Sequence, residues 1–124
     1  MKKTLFKFLL ITLTLLAFNS SISAHGDMEP QHGGIVKVEH EIIFELVRRE
    51  SDVSVYLRDH GKPYPTDKVT GNIIVLAGGK KSDLKLTPAG DNKMTASIKI
   101  PDGAKVLVKI KEDNHHSVTV RFAF

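Results

Sequence analysis

The sequence predicts an all-β fold, an antiparallel β-sandwich of immunoglobulin-like type, and three observations lead to it. Apolar residues past residue 34 recur mostly at every second position, the period of a strand with one buried face. Turn residues interrupt them at short intervals, and no segment of ten or more residues carries helical periodicity. Seven or eight short strands in about 100 residues fit a two-sheet sandwich better than any barrel that spans a membrane.

The candidate strands follow in order. They run from Gly34 to Val38, Glu41 to Arg49, Asp52 to Asp59, Val69 to Ala77, Ser82 to Thr87, Lys93 to Ile100, Ala104 to Lys111 and Ser117 to Phe124. Alternating sets such as Ile42/Phe44/Leu46, Val53/Val55/Leu57, Val106/Val108/Ile110 and Val118/Val120/Phe122 mark the core-facing side. Between them, Ala77-Gly78-Gly79-Lys80, Pro88-Ala89-Gly90-Asp91-Asn92 and Pro101-Asp102-Gly103 carry turn chemistry, because Gly and Asn accept positive φ and Pro presets a negative one. Arg49 to Asp52 reads as a further tight turn. The aromatic final residue, Phe124, brings an outer-membrane barrel to mind, but Lys37, Lys85, Lys99, Lys105 and Lys109 occupy outward positions where lipid would lie.

The first 24 residues have a different character. Lys2, Lys3 and Lys7 precede the uncharged apolar run Phe8 to Phe18, which falls short of the ~20 residues a membrane span needs. Small and polar residues from Asn19 to Ala24 complete the order of a secretory signal peptide, with cleavage expected after Ser23 or Ala24. The expected organisation is therefore a signal peptide at 1–24, a flexible leader rich in His, Met and acidic residues at 25–34, and a β-sandwich domain at 35–124. Export implies a periplasmic location.

Charge and composition exclude several function classes. The chain has 18 basic and 14 acidic residues, a formal charge of +4 and a pI near 9.4. Lys2, Lys3 and Lys7 supply most of that excess, leaving the mature domain at about +1. No basic run is longer than Lys80-Lys81, so nucleic acid is not an expected partner. The absence of cysteine removes lipoprotein anchoring, thiol redox chemistry and thiolate metal sites. Catalysis has no support either: there is no nucleophile elbow, no His-Glu-x-x-His, and Gly78-Gly79-Lys80-Lys81 lacks the spacing of a phosphate loop.

What stands out is histidine, since all six lie beyond the signal. His25-Gly26-Asp27-Met28-Glu29-Pro30-Gln31-His32 gathers imidazole, thioether and carboxylate, the donors that copper and other divalent ions accept. Cleavage at either site also leaves a terminal amine and an early imidazole able to chelate Cu(II). Asp59-His60-Gly61-Lys62-Pro63-Tyr64-Pro65 places His60 on a stiff loop, where it is a ligand candidate or a turn residue tolerating an unusual backbone angle. His115-His116 follows Asp113-Asn114 at an expected hairpin tip, and His40 sits between two glutamates at a turn. The candidate metal set is His25, Met28, His32, His60 and His116, with copper first and zinc or a related ion second.

Four stretches carry a resemblance: Pro-Gln-His-Gly-Gly-Ile-Val (30–36), Ile-Ile-Phe-Glu-Leu-Val (42–47), Val-Tyr-Leu-Arg-Asp-His-Gly-Lys-Pro-Tyr-Pro (55–65) and Val-Thr-Val-Arg-Phe (118–122). Together they resemble small periplasmic proteins that accompany heavy-metal and copper efflux systems. The His-Gly-Gly entry followed by Phe-Glu-Leu is similar to segments of the periplasmic adaptor subunits of those pumps. More loosely, the strand rhythm is similar to copper-resistance and YtkA-like β-sandwich domains. The resemblance implies a non-enzymatic metal-binding or metal-delivery protein with an efflux adaptor or pump as partner, and it carries over His32 and His60. Met28 and Met94 are the only methionines after the signal, so the Met-rich tracts of known copper carriers are missing. The competing expectation is an interaction module that pairs an edge strand with an efflux adaptor or envelope protein and binds no metal.

Overall fold

A computed structural model describes residues 28–112 and 116–124, so the expected signal peptide, His25 and the segment 113–115 lie outside the described residues. The architecture is the antiparallel β-sandwich expected from the sequence. The described residues form nine strands: β1 (Ile35–Glu39), β2 (Ile42–Arg48), β3 (Val53–Asp59), β4 (Lys62–Pro63), β5 (Val69–Ala77), β6 (Lys80–Pro88), β7 (Lys93–Ala96), β8 (Lys105–Glu112) and β9 (Ser117–Ala123). Among the described residues no helix is long and apolar enough to cross a membrane.

All eight expected strands are present, most within two residues of the expected limits. The Lys93–Ile100 strand is the exception, because its ladder ends at Ala96. Pro101 follows Ile100 and disfavours continued regular structure, and Ile98 instead donates to the Ala96 carbonyl in a tight local bend. The short β4 escaped the alternation test, since two residues are too few to show a period.

Hydrogen bonds connect the strands in the order β1-β2-β3-β7-β6-β5-β8-β9, with β4 added to β3. The two layers are continuous through β6. Its first seven residues pair with β5, while Thr87 and Pro88 turn to pair with β7. The sheet thus folds over on itself, β1–β3 and β7 forming sheet A and β5, β6, β8 and β9 forming sheet B.

Period-two alternation decides what lies between the layers. Phe44, Leu46, Val55 and Leu57 from sheet A meet Ile73, Leu86, Val106, Val108 and Phe122 from sheet B, all buried. Large apolar side chains of this kind contribute about 1.5–3 kcal/mol each on full burial, enough for a domain of this size to fold without disulfides. Polar ties close the sandwich ends. Thr66, fully buried between β4 and β5, donates to the Gly90 carbonyl at 2.9 Å, and Arg48 binds the Ile100 carbonyl and Asp102 while lying over the Phe124 ring.

Sheet A departs from a simple wet-outside pattern. On β2 and β3 the outward residues Ile43, Glu45, Ser54 and Arg58 are as buried as the core. Something covers that face.

Candidate functional site

The cover is the chain segment just before β1. Glu45 points away from the core, and its carboxylate accepts backbone N–H bonds from Gln31 (Oε1, 2.9 Å), His32 (Oε2, 2.8 Å) and Gly34 (Oε2, 3.0 Å). Nδ1 of the His32 ring stands 3.2 Å from Oε1. On β3, opposite Ile43, buried Arg58 donates from Nη2 to the Glu29 carbonyl at 3.1 Å. Residues 29–34 thus form a strap across β2 and β3. Within the expected leader, Gln31, His32 and Gly34 are docked through their main-chain amides onto the buried Glu45 carboxylate.

Energetics explain why the carboxylate is tolerated. Burial acts first and pushes the Glu45 carboxyl up, because it disfavours the charged form. Opposing it are the amides of Gly34, Gln31 and His32 and the His32 ring, each charge-assisted bond worth about 1.5–3 kcal/mol. Together they win, and the carboxyl is held below its ordinary value. Glu45 is ionised in the folded protein at neutral pH, and the strap is its solvation shell.

His32 is fixed by a second contact. Its ring lies on Tyr56, centroids 3.6 Å apart and planes 5° from parallel, and Tyr56 is the direct cross-strand partner of Glu45. Lys93, the cross-strand partner of Tyr56 on β7, places Nζ 5.7 Å from the same ring. With ionised Glu45 as acceptor, the neutral imidazole carries its proton on Nδ1, leaving Nε2 as the free lone pair. An imidazole oriented by a carboxylate in this way has the usual second contact of a metal-ligating histidine. The His32 side chain is 39% exposed.

The other predicted ligands lie elsewhere. Met28 is exposed near the start of the strap, four residues before His32. His60 occupies the β3–β4 turn at φ 51° beside Gly61 at φ 75°, the mirror-image turn that tight hairpins favour. Its Nδ1 approaches Asp59 Oδ1 at 2.5 Å, but off the hydrogen-bond direction, and that buried oxygen has no hydrogen-bond donor among the described residues. His116 lines a cleft of about 430 Å³ at the open end of the sandwich, with His40, Glu41, Asp59 and Glu112 around an apolar floor of Ile42, Ile110 and Val118.

His32 and His116 therefore belong to different faces. Glu45 and Tyr56 project outward from sheet A, whereas Ile42 and Asp59, three residue pairs away or about 10 Å, line the inner mouth. Of the expected set His25, Met28, His32, His60 and His116, His25 lies outside the described residues, and His32 and His116 are not brought together. Among the described residues no group of three or more His, Cys, Asp or Glu side chains is placed to hold one ion.

Glu45, Tyr56 and Arg58 escaped the sequence reading as site residues. A signal was present: once Ile42, Phe44 and Leu46 are assigned inward, Ile43 and Val47 are left flanking Glu45 on a face that should be wet. Apolar residues on both faces of a strand announce a second cover.

No family model matches the chain, and no curated protein matches it. The crystal structure of a Br derivative of BhCBM56 is similar with a TM-score of 0.44 and 8% identity, over 72% of this chain and 98% of that chain.

Proposed function

We propose that this chain is a periplasmic protein that binds a transition metal, copper first and zinc or a related ion second, and passes it to a metal-efflux adaptor or pump. The observation that carries the reading is the His32 imidazole, set by Glu45 at Nδ1 and by Tyr56 beneath its ring, with Nε2 free. A preset imidazole loses little freedom on binding an ion. The remaining donors would come from the same segment: the Met28 thioether, suited to Cu(I), and the His25 imidazole with the nearby amine, suited to Cu(II).

His60 and His116 take no part in this version of the site. All its ligands then belong to one stretch of chain before β1, so a partner need only engage that stretch to exchange the ion. The sandwich acts as the mount, through Glu45 and Arg58.

The test is a Cu(II) and Zn(II) titration of the correctly processed protein beside His25→Ala, His32→Ala and His60→Ala. Loss of affinity in the first two and retention in the third is expected. Glu45→Gln should weaken binding about 10- to 100-fold, the usual effect of removing the carboxylate behind a ligating histidine. Affinity no better than that of a free peptide spanning residues 25–34, or indifferent to His32, would refute the reading and leave the interaction module as the alternative.

A further inference from the structure

A second feature lies on the far side of the molecule and is independent of the metal reading. On the outer face of sheet B, alternation points Lys81 and Lys85 (β6), Lys105, Lys109 and Lys111 (β8) and Arg121 (β9) to solvent. Asp83 is the one carboxylate on these strands that shares the face, and its Oδ1 is already bonded by Asn72. None of the six cations forms an ion pair among the described residues. A domain of nearly balanced charge has therefore gathered positive charge on one side.

Register places the six close together. Lys85 and Lys109 flank Asn72 in one row, Lys81 and Lys105 flank Leu76 in another, and Arg121 faces Leu107. Four strands span about 14 Å, and Lys105 to Lys111 spans about 20 Å. Neighbouring cations thus stand within about one Debye length at 0.1 M salt, so their potentials add. Among them sits a small apolar stripe, Ile74 paired with Leu107 and Leu76 beside them, Leu76 being 41% exposed.

We infer that this face docks peripherally on an anionic bilayer surface, the lysines meeting lipid phosphates and the Ile74–Leu76–Leu107 stripe entering the headgroup boundary. The residue types favour that occupant over two others. Protein interfaces are depleted in Lys and anchored by Trp, Tyr or Arg, and this face has five lysines, one arginine and no aromatic residue. Single-stranded nucleic acid needs aromatic stacking platforms, which are also missing. Lysine is a point charge on a flexible stem, suited to a surface of mobile phosphates without fixed geometry. Juxtamembrane lysines gain about a factor of five in affinity apiece at such surfaces.

The experiment is co-sedimentation of the processed protein with vesicles of phosphatidylcholine alone and of phosphatidylcholine with phosphatidylglycerol, at 50 and 300 mM salt. Binding to the anionic vesicles only, lost at high salt, is expected. Lys109→Gln/Lys111→Gln should weaken it roughly 25-fold, and Leu76→Ser should weaken it further. Lys37→Gln/Lys62→Gln removes the same charge outside sheet B and should leave binding near wild type. Equal binding to both vesicles, equal loss in the two double variants, or displacement by DNA at concentrations below those of lipid would each overturn the inference. Circular dichroism melts of every variant establish that the sandwich is intact.

Discussion

His32 lies flat on Tyr56, ring centroids 3.6 Å apart, while its Nδ1 reaches across to the carboxylate that Tyr56 faces on the neighbouring strand. Two adjacent positions in a β ladder, Glu45 and Tyr56, thereby hold one imidazole in position and orientation. Stacking alone would let the ring slide in its plane, and the carboxylate alone would let it rotate about the hydrogen bond. Together they leave it one pose.

Tyr56→Leu tests the first constraint. It keeps apolar bulk on β3 but removes the aromatic face, so the stack and the Lys93 contact go together. Aromatic pairs are worth about 0.5–1.5 kcal/mol beyond area burial. Chemical denaturation should show a loss near 1 kcal/mol, with the His32 ring resonances shifting toward random-coil positions. Unchanged resonances would mean that Glu45 positions the ring unaided.

Glu45→Ala tests the second constraint, and its cost should be larger. Three amide donors lose their acceptor, and each buried unsatisfied group costs about 1–3 kcal/mol unless the strap lifts into water. Lifting caps the loss, so about 3 kcal/mol is expected, accompanied by protease sensitivity near residue 31. The pH dependence follows from the lowered carboxyl. A group whose folded pKa lies below its unfolded value, about 4.3 for Glu, adds stability that is complete above that value and disappears as pH falls through the folded one. Wild type should therefore lose stability more steeply below pH ~4 than Glu45→Gln, whose neutral amide does not titrate. Parallel pH profiles in urea melts would contradict the assignment.

The strands were readable in the sequence because each buries one face, and alternation is the direct trace of that. Their outer limits were readable where Gly or Pro ends the run, as at Gly78-Gly79. The strap was not readable. A segment with no period of its own shows nothing locally when it is docked by backbone amides, since any residue supplies the same N–H. The trace lay on the receiving strand, in the apolar neighbours of Glu45. Similarly, His60 on its stiff loop and His116 at its hairpin tip were grouped with His32 of the leader in one candidate set, and the pairing of Ile42 with Asp59 separates the mouth from the outer face.

The two glycines after His32 make different demands, which gives a paired prediction. Gly33 has φ +73° and open space where a methyl group would sit, so Gly33→Ala meets backbone strain alone, about 1 kcal/mol. Gly34 has no such φ, but a Cβ there would fall 2.5 Å from the Leu46 carbonyl oxygen and 2.8 Å from Val47 Cγ2. Backbone cannot yield cheaply, and overpacking of this kind costs about 1–3 kcal/mol. Gly34→Ala should thus destabilise more than Gly33→Ala and, by pushing the strap off Glu45, also broaden the His32 resonances.

The β1–β2 turn offers a change in the opposite direction. His40 and Glu41 both hold positive φ, 48° and 67°, in a two-residue hairpin loop whose geometry favours Asn-Gly. Neither residue relaxes there as readily as glycine does, and the strain is felt only in the folded state. Glu41→Gly relieves it at the second position, against the greater freedom glycine gives the unfolded chain, which lowers the gain by about 0.4–1 kcal/mol. His40→Asn relieves it at the first position without that entropic loss. The double change should raise stability by about 1 kcal/mol in denaturant melts while leaving the Glu45 strap untouched. A decrease would show that His40 or Glu41 makes contacts at the mouth of the sandwich that outweigh the turn strain, and would direct attention to the cleft they share with His116.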